Sequence, residues 1–228
     1  MNKTHKKFLI WNFLLIVLAM ACLVYYDREG GLWLKGVTSA WFVLLGAVNL
    51  AYGRKTGRRN VCFLVLVEMA LLVTMTADVL LGIHFMLGTV VFALGHIVYF
   101  AAFCFLEKPG RRDLCLILLC GAVSLFLALG TPYIRVGNSP MKELLIVYAV
   151  VISCMLGKAV GNLIARPSPA RWLAAVGGFL FWFSDLMLAL NLFGVGGRTA
   201  GTLCMYTYWP GQIILAHSLF HFVNENQK

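Results

Sequence analysis

Gly177 to Phe193, GGFLFWFSDLMLALNLF, is the stretch on which the fold turns. It is a helix-length apolar run with one acid, Asp185, inside it. Charging a side chain at membrane depth costs about 2.5–3.5 kcal/mol on insertion scales, so such a group is expected to face a partner or a wet cavity and to mark a functional site. The run has a counterpart: Ala77-Asp78-Val79-Leu80-Leu81 recurs as Ser184-Asp185-Leu186-Met187-Leu188. Asp78 and Asp185 are therefore read as the chemistry of the protein.

Composition fixes the setting of these acids. The chain has 228 residues, 61% hydrophobic and 12% charged, with mean hydropathy +0.85. Soluble domains lie near 45–50% apolar and about 25% charged. An all-α, polytopic membrane helix bundle follows, as one integral membrane domain over 1–228 with no separate soluble part. At roughly 20 residues per span, the length accommodates about eight. Seven cysteines fall in or beside apolar runs without a Cys-x-x-Cys pair, which reads as packing.

The first span follows MNKTHKK, and its apolar run is too long for a signal peptide, so it is expected to stay uncleaved. The others are expected at 33–52, 61–83, 85–106, 113–131, 141–164, 170–192 and 202–222, between breaks rich in Gly, Pro and charge. With the N-terminus inside, 14 of the 19 Lys and Arg residues fall on the inner side; Arg28, Lys35, Arg135, Lys142 and Arg198 stay outside. That asymmetry puts both termini in the cytoplasm and accounts for the net charge of +10 without nucleic acid as a partner. The expected location is a cell membrane, the inner one in a bacterium.

Orientation gives depth. Asp78 and Asp185 both come out on the order of 10 Å below the outer ends of spans three and seven, at 1.5 Å per residue. Two acids at one depth can share a cavity, and their repeat fits a parallel four-plus-four duplication. His96 and Tyr99 are one turn apart on span four, either beneath that cavity or bonded across a helix interface. Pro210 is expected to kink span eight and turn Gln212 toward a ligand, or else to leave it as interhelical glue. Glu68 and Lys158, at similar depth with opposite charge, suggest an ion pair near the inner side, or else Lys158 snorkels to the inner interface. His217 and His221 have the i, i+4 spacing of a metal pair without an evident third ligand.

Taken together, the chain resembles the YhhN family of multi-spanning membrane proteins, also called the lysoplasmalogenase family. The likeness is carried by ADVLLGIHFMLGTVVFALGHIVYFAAF (77–103), GGFLFWFSDLMLALNLF (177–193) and TYWPGQIILAHS (207–218). Residue by residue it implicates Asp78, His96, Tyr99, Ser184, Asp185, Tyr208 and Gln212, with Lys35 matching a Lys-Pro in span two and Tyr148 a tyrosine in span six. Gly36 where proline is usual, Ala77 where glycine is common, and Pro210 depart from the pattern.

What the resemblance implies is cleavage of the vinyl ether bond of a lysoplasmalogen to a fatty aldehyde and a glycerophospho-base, with a lysophospholipid as partner and no cofactor or metal. Enol ethers hydrolyse by protonation at the β-carbon, which calls for a carboxylic acid still protonated near neutral pH. The cation that follows calls for a carboxylate, as in glycosidases. Asp78 and Asp185 are the catalytic pair in this reading, roles unassigned. His96, Tyr99, Tyr148, Ser184, Tyr208 and Gln212 are expected at the substrate, and Lys35, Arg135 or Arg198 at its phosphate. The rival classes are a lipid or small-molecule transporter using the same acids and a metal-dependent lipid hydrolase built on His217 and His221.

Overall fold

The computed structural model describes residues 3–57, 61–129, 140–194 and 196–225. They form eight α-helices in chain order: α1 (Lys3–Glu29), α2 (Leu32–Lys55), α3 (Val61–Ile83), α4 (Phe85–Leu106), α5 (Arg111–Leu129), α6 (Pro140–Ala165), α7 (Pro169–Leu192) and α8 (Gly197–Glu225). Six, all except α5 and α8, are long and apolar enough to cross a membrane. The chain is a polytopic helix bundle, and its helices follow the expected spans closely.

Local chemistry sets the helix ends. Pro169 opens α7, where its missing N–H costs nothing, and the Ser168 side chain accepts from the Arg171 amide at 3.4 Å. Between α3 and α4 only His84 leaves the helical conformation, and its Nδ1 accepts from the Leu87 amide at 3.3 Å. That one-residue turn needs two backbones in close approach. Gly88 permits it, since a Cβ there would lie 2.5 Å from the Leu81 amide nitrogen. Gly177 and Gly211 do the same for α7 and α8, because a Cβ on Gly177 would stand 2.9 Å from the Gly211 carbonyl oxygen. α8 continues through Pro210 as one helix.

The pattern of packing is a doubled one. The most extensive pairings are α1–α2, α2–α3, α3–α4 and α2–α8 on one side, and α5–α6, α6–α7, α7–α8 and α4–α6 on the other, while the lesser contacts α3–α8, α1–α8 and α5–α7 have no counterpart. Adding four to each label, and counting past eight back to one, turns the first set into the second. This is the arrangement expected of a parallel four-plus-four duplication. Among the described residues the backbones of α3 and α7 do not come close to each other, and α4 and α8 meet only through side chains such as Tyr99 and Gln212. Space is left between the two helices that carry the aspartates.

Polar side chains tie the inner half together in matching places. Asn12 and Asn49 exchange hydrogen bonds of 2.7 and 2.9 Å between α1 and α2, and Asn49 also donates to the Ala216 carbonyl of α8 at 3.1 Å. In the other half Lys158 of α6 donates to Asp113 of α5 at 2.8 Å, and Asn162 to the Phe103 carbonyl of α4 at 2.7 Å. Here one expectation is corrected. Lys158 pairs with Asp113, not with Glu68, because α6 packs on α5 and, among the described residues, its backbone does not come close to α3. Glu68 is buried against α2, where a side chain on Gly46 would run into it, and its Oε2 has no hydrogen-bond partner among the described residues.

Lys158 and Asp113 are 0% and 2% exposed, so removing one charge strands the other in a dry interior. Lys158→Met is expected to lower stability by about 3–5 kcal/mol. The double change Asp113→Asn with Lys158→Met is expected to recover more than half of that. Thermal unfolding of the protein in detergent micelles measures both.

Candidate functional site

Asp78, near the outer end of α3, is 1% exposed and surrounded by donors. Ser39 of α2 donates to its Oδ2 at 2.6 Å, and Tyr208 of α8 to the same oxygen at 2.7 Å. Lys35, one turn before Ser39, brings its Nζ to 3.7 Å from Oδ1. The Trp209 indole N–H donates to Ser39 Oγ at 3.1 Å and so fixes the residue that fixes Asp78. Asp78 is thus held by a cation and two hydroxyls, the surroundings a carboxylate requires when it is shut away from water.

Asp185 on α7 is handled by the other half of the molecule. Tyr148 of α6 donates to its Oδ2 at 2.6 Å, and His96 Nε2 of α4 lies 3.1 Å from the same oxygen and 2.9 Å from the Tyr148 hydroxyl. The other ring nitrogen of His96 faces the Met155 sulfur at 3.4 Å. No Lys or Arg among the described residues forms an ion pair with it. Each acid therefore draws on the helix before its own and on the last helix of the opposite half: α2 and α8 for Asp78, α6 and α4 for Asp185. The correspondence between the halves in their main packing pairs recurs in the donors, with different chemistry.

Both acids line one cavity of about 210 Å³, together with Lys35, Tyr26, Tyr208 and Trp209. Ser184 lines it as well, with its hydroxyl donating back to the Phe181 carbonyl at 2.7 Å. A second, smaller cavity of about 80 Å³ adjoins it and is almost wholly apolar. Tyr148 belongs to this second wall. His96 is fully buried behind Asp185 and lines neither cavity. Tyr99 and Gln212 also line neither: the Tyr99 hydroxyl donates to Gln212 Oε1 at 2.7 Å, both side chains buried. That position gives them to the frame around the site. The Gln212 side chain points into the bundle because Gly211, its neighbour, is pressed against α7.

Of the outer cations, Lys35 reaches the cavity, Arg198 is not in its lining, and Arg135 lies outside the described residues. His217 spends its Nδ1 on Asn12 Oδ1 at 2.8 Å, far along α8 from Tyr208. Among the described residues no three His, Cys, Asp or Glu side chains gather as metal ligands. Two residues that matter were not singled out from the sequence, Ser39 and Trp209. The signal for Ser39 was present: it stands four residues after Lys35, on the same helical face.

The description "YhhN family" belongs to the family model that matches residues 37–219 of this chain. Lysoplasmalogenase TMEM86A of Bos taurus is 29% identical over 138 residues, covering 59% of this chain and 55% of that protein. The chain thus spans about half the length of the curated relative it matches. No solved structure matches it.

Ser39 connects two buried groups, accepting from Trp209 while donating to Asp78. Ser39→Ala leaves the indole N–H without its acceptor and Asp78 with one donor fewer. A loss of about 1–3 kcal/mol in unfolding stability is expected, the range for stranding a buried polar group. A shift in Trp209 fluorescence, read in a protein whose other tryptophans are replaced, should accompany it.

Proposed function

This chain belongs to the YhhN family, and from that premise we propose that it is a membrane hydrolase that cleaves the vinyl ether bond of a lysoplasmalogen. The observation that carries the reading is the shared cavity: two acids from different halves of the bundle face one space, with a lysine at its rim. The name of the bovine relative points the same way. Membrane burial suits the substrate, a single-chain lipid that partitions into the bilayer.

The chemistry runs in three steps. One acid gives its proton to the β-carbon of the enol ether, so that a C–H bond forms as the C=C π bond is consumed and an oxocarbenium cation appears at the adjacent carbon. Water then adds to that carbon, its spare proton passing to the other carboxylate, and a hemiacetal results. In the last step the hemiacetal hydroxyl returns a proton to the first acid while the second protonates the departing glycerol oxygen. Aldehyde and glycerophospho-base are released with both acids restored and one water consumed. A closely held carboxylate stabilises the cation, as paired acids do in glycoside hydrolysis. Lys35, 19% exposed and beside Asp78, supplies positive charge for the lipid phosphate.

The transporter reading uses the same acids but leaves the substrate intact. Aldehyde release from purified protein in micelles separates the two, and resistance to chelators separates acid catalysis from a metal hydrolase. Asp78→Asn and Asp185→Asn are each expected to lower aldehyde release by a hundredfold or more, the usual contribution of a positioned acid or base. Near-normal turnover in either variant removes that carboxylate from the reaction. Lys35→Met is expected to raise KM about tenfold with a smaller effect on kcat. Lysolipids with vinyl ether, alkyl ether and ester linkages, offered side by side, identify the bond that is cut.

A further inference from the structure

The two acids differ in one respect that the proposed reaction can use. Asp78 lines only the polar cavity, whereas Asp185 lines both it and the adjoining apolar one, so it stands at their junction. The apolar cavity is walled by residues such as Leu81, Phe85, Phe92, Ala149 and Leu192, drawn from α3, α4, α6 and α7. Its few polar members are already engaged. Thr89 donates to the Phe85 carbonyl at 3.0 Å, and Trp182 donates to Ser124 at 2.8 Å, which in turn is 3.1 Å from Ser153. Tyr148 is committed to Asp185 at 2.6 Å. A wall with its hydrogen bonds spent offers an occupant only apolar contact, and exposed Leu192 puts one end of the cavity at the outside of the bundle.

We propose that this apolar cavity seats the hydrocarbon chain of the lysolipid, and that Asp185 is consequently the proton donor while Asp78 is the carboxylate. The assignment rests on the lysoplasmalogenase reading above. With the phosphate at Lys35 and the chain beyond Asp185, the lipid crosses the two cavities lengthwise. Along it the order is glycerol, ether oxygen, the carbon that becomes cationic, then the β-carbon. The β-carbon falls on the chain side, against Asp185. The cationic carbon falls on the headgroup side, toward Asp78.

The contacts of each acid fit its role. Lys35, Ser39 and Tyr208 together hold Asp78 as an anion, able to face the cation and take the proton of the attacking water. Asp185 has its bonds on Oδ2, from Tyr148 and His96, which leaves Oδ1 as the oxygen facing substrate. His96 Nδ1 faces only a thioether, a weak acceptor, so its bonding is directed through Nε2 to Asp185 Oδ2 and the Tyr148 hydroxyl. His96 acts through Asp185 and is a positioning residue.

Photo-crosslinking of the full-length protein tests the seat without depending on turnover. The probe is a 1-O-alkyl lysophosphatidylethanolamine, which lacks the vinyl ether, with a diazirine midway along its chain. Adducts on Leu145, Ala149 or Leu186 are expected; adducts confined to Gly201, Met205 or other walls of the polar cavity overturn the seat. Ala149→Phe, which fills part of the apolar cavity, is expected to shift the ratio of short-chain to long-chain turnover at least tenfold, and an unchanged ratio counts against it. Roles are read with sodium azide, an anion that can trap the cation left when Asp78 is gone. Rescue of Asp78→Ala but not of Asp185→Ala is expected, and rescue confined to Asp185→Ala, or absent from both, overturns the assignment. If the wild-type protein releases no aldehyde while the probe still labels the apolar cavity, the chain seat stands and the hydrolase reading falls.

Discussion

Two carboxylates kept from bulk water must each be given donors, and that requirement organises the outer half of this bundle. A hydroxyl, an imidazole or an ammonium can supply the donor, but each must come from a neighbouring helix, since a helix spends its own backbone groups on itself. Asp78 recruits α2 and α8; Asp185 recruits α6 and α4. Four helices besides the two that carry the acids are thereby tied to one level of the membrane. The gap between α3 and α7, whose backbones do not come close to each other among the described residues, becomes the cavity.

The correspondence of the main helix pairings goes with acids that are supported from corresponding places yet differ in character. A twofold arrangement of helices delivers each aspartate a donor from the preceding helix and another from across the bundle. Sequence divergence then sets what the donors are: Lys35, Ser39 and Tyr208 on one side, Tyr148 and His96 on the other. A scaffold with equivalent halves can thus hold two carboxyl groups in unlike environments, the condition for one to act as acid while the other acts as base.

Periodicity, composition and depth made much of this legible in advance. Helix number, span limits and the two acids follow from apolar run lengths and from the rarity of charge inside them. Lateral neighbours do not follow, because matching depth places two residues on a level without saying which helices adjoin. Glu68 and Lys158 were paired on depth alone, and the packing of α6 against α5 gives Lys158 to Asp113 instead. Asp113 was hidden by the same logic: it lies in the first turn of α5 beside Arg111 and Arg112, where a charged residue reads as the end of a loop. Tyr99 and Gln212 share a level with the site, but their side chains turn toward each other.

The inner and outer halves solve the problem of buried polarity in different ways, and the contrast separates structure from chemistry. On the inner side Asn12 with Asn49, and Lys158 with Asp113, are short contacts whose further bonds also go to the protein itself, and glycines such as Gly161 let the helices come close around them. A side chain at Gly161 would strike Asp113, so that pairing depends on the bare backbone opposite. On the outer side the acids take donors from neighbouring helices and line one cavity, Asp185 being the more open of the two. Asp185 keeps 13% of its side chain exposed, whereas Lys158 keeps none. A buried pair sealed on all sides holds helices in register; a carboxyl held by its back and left open at its face can meet a substrate. By that criterion the level of Asp78 and Asp185, which face one cavity, is the open one, and the better-bonded level beneath it is the sealed one.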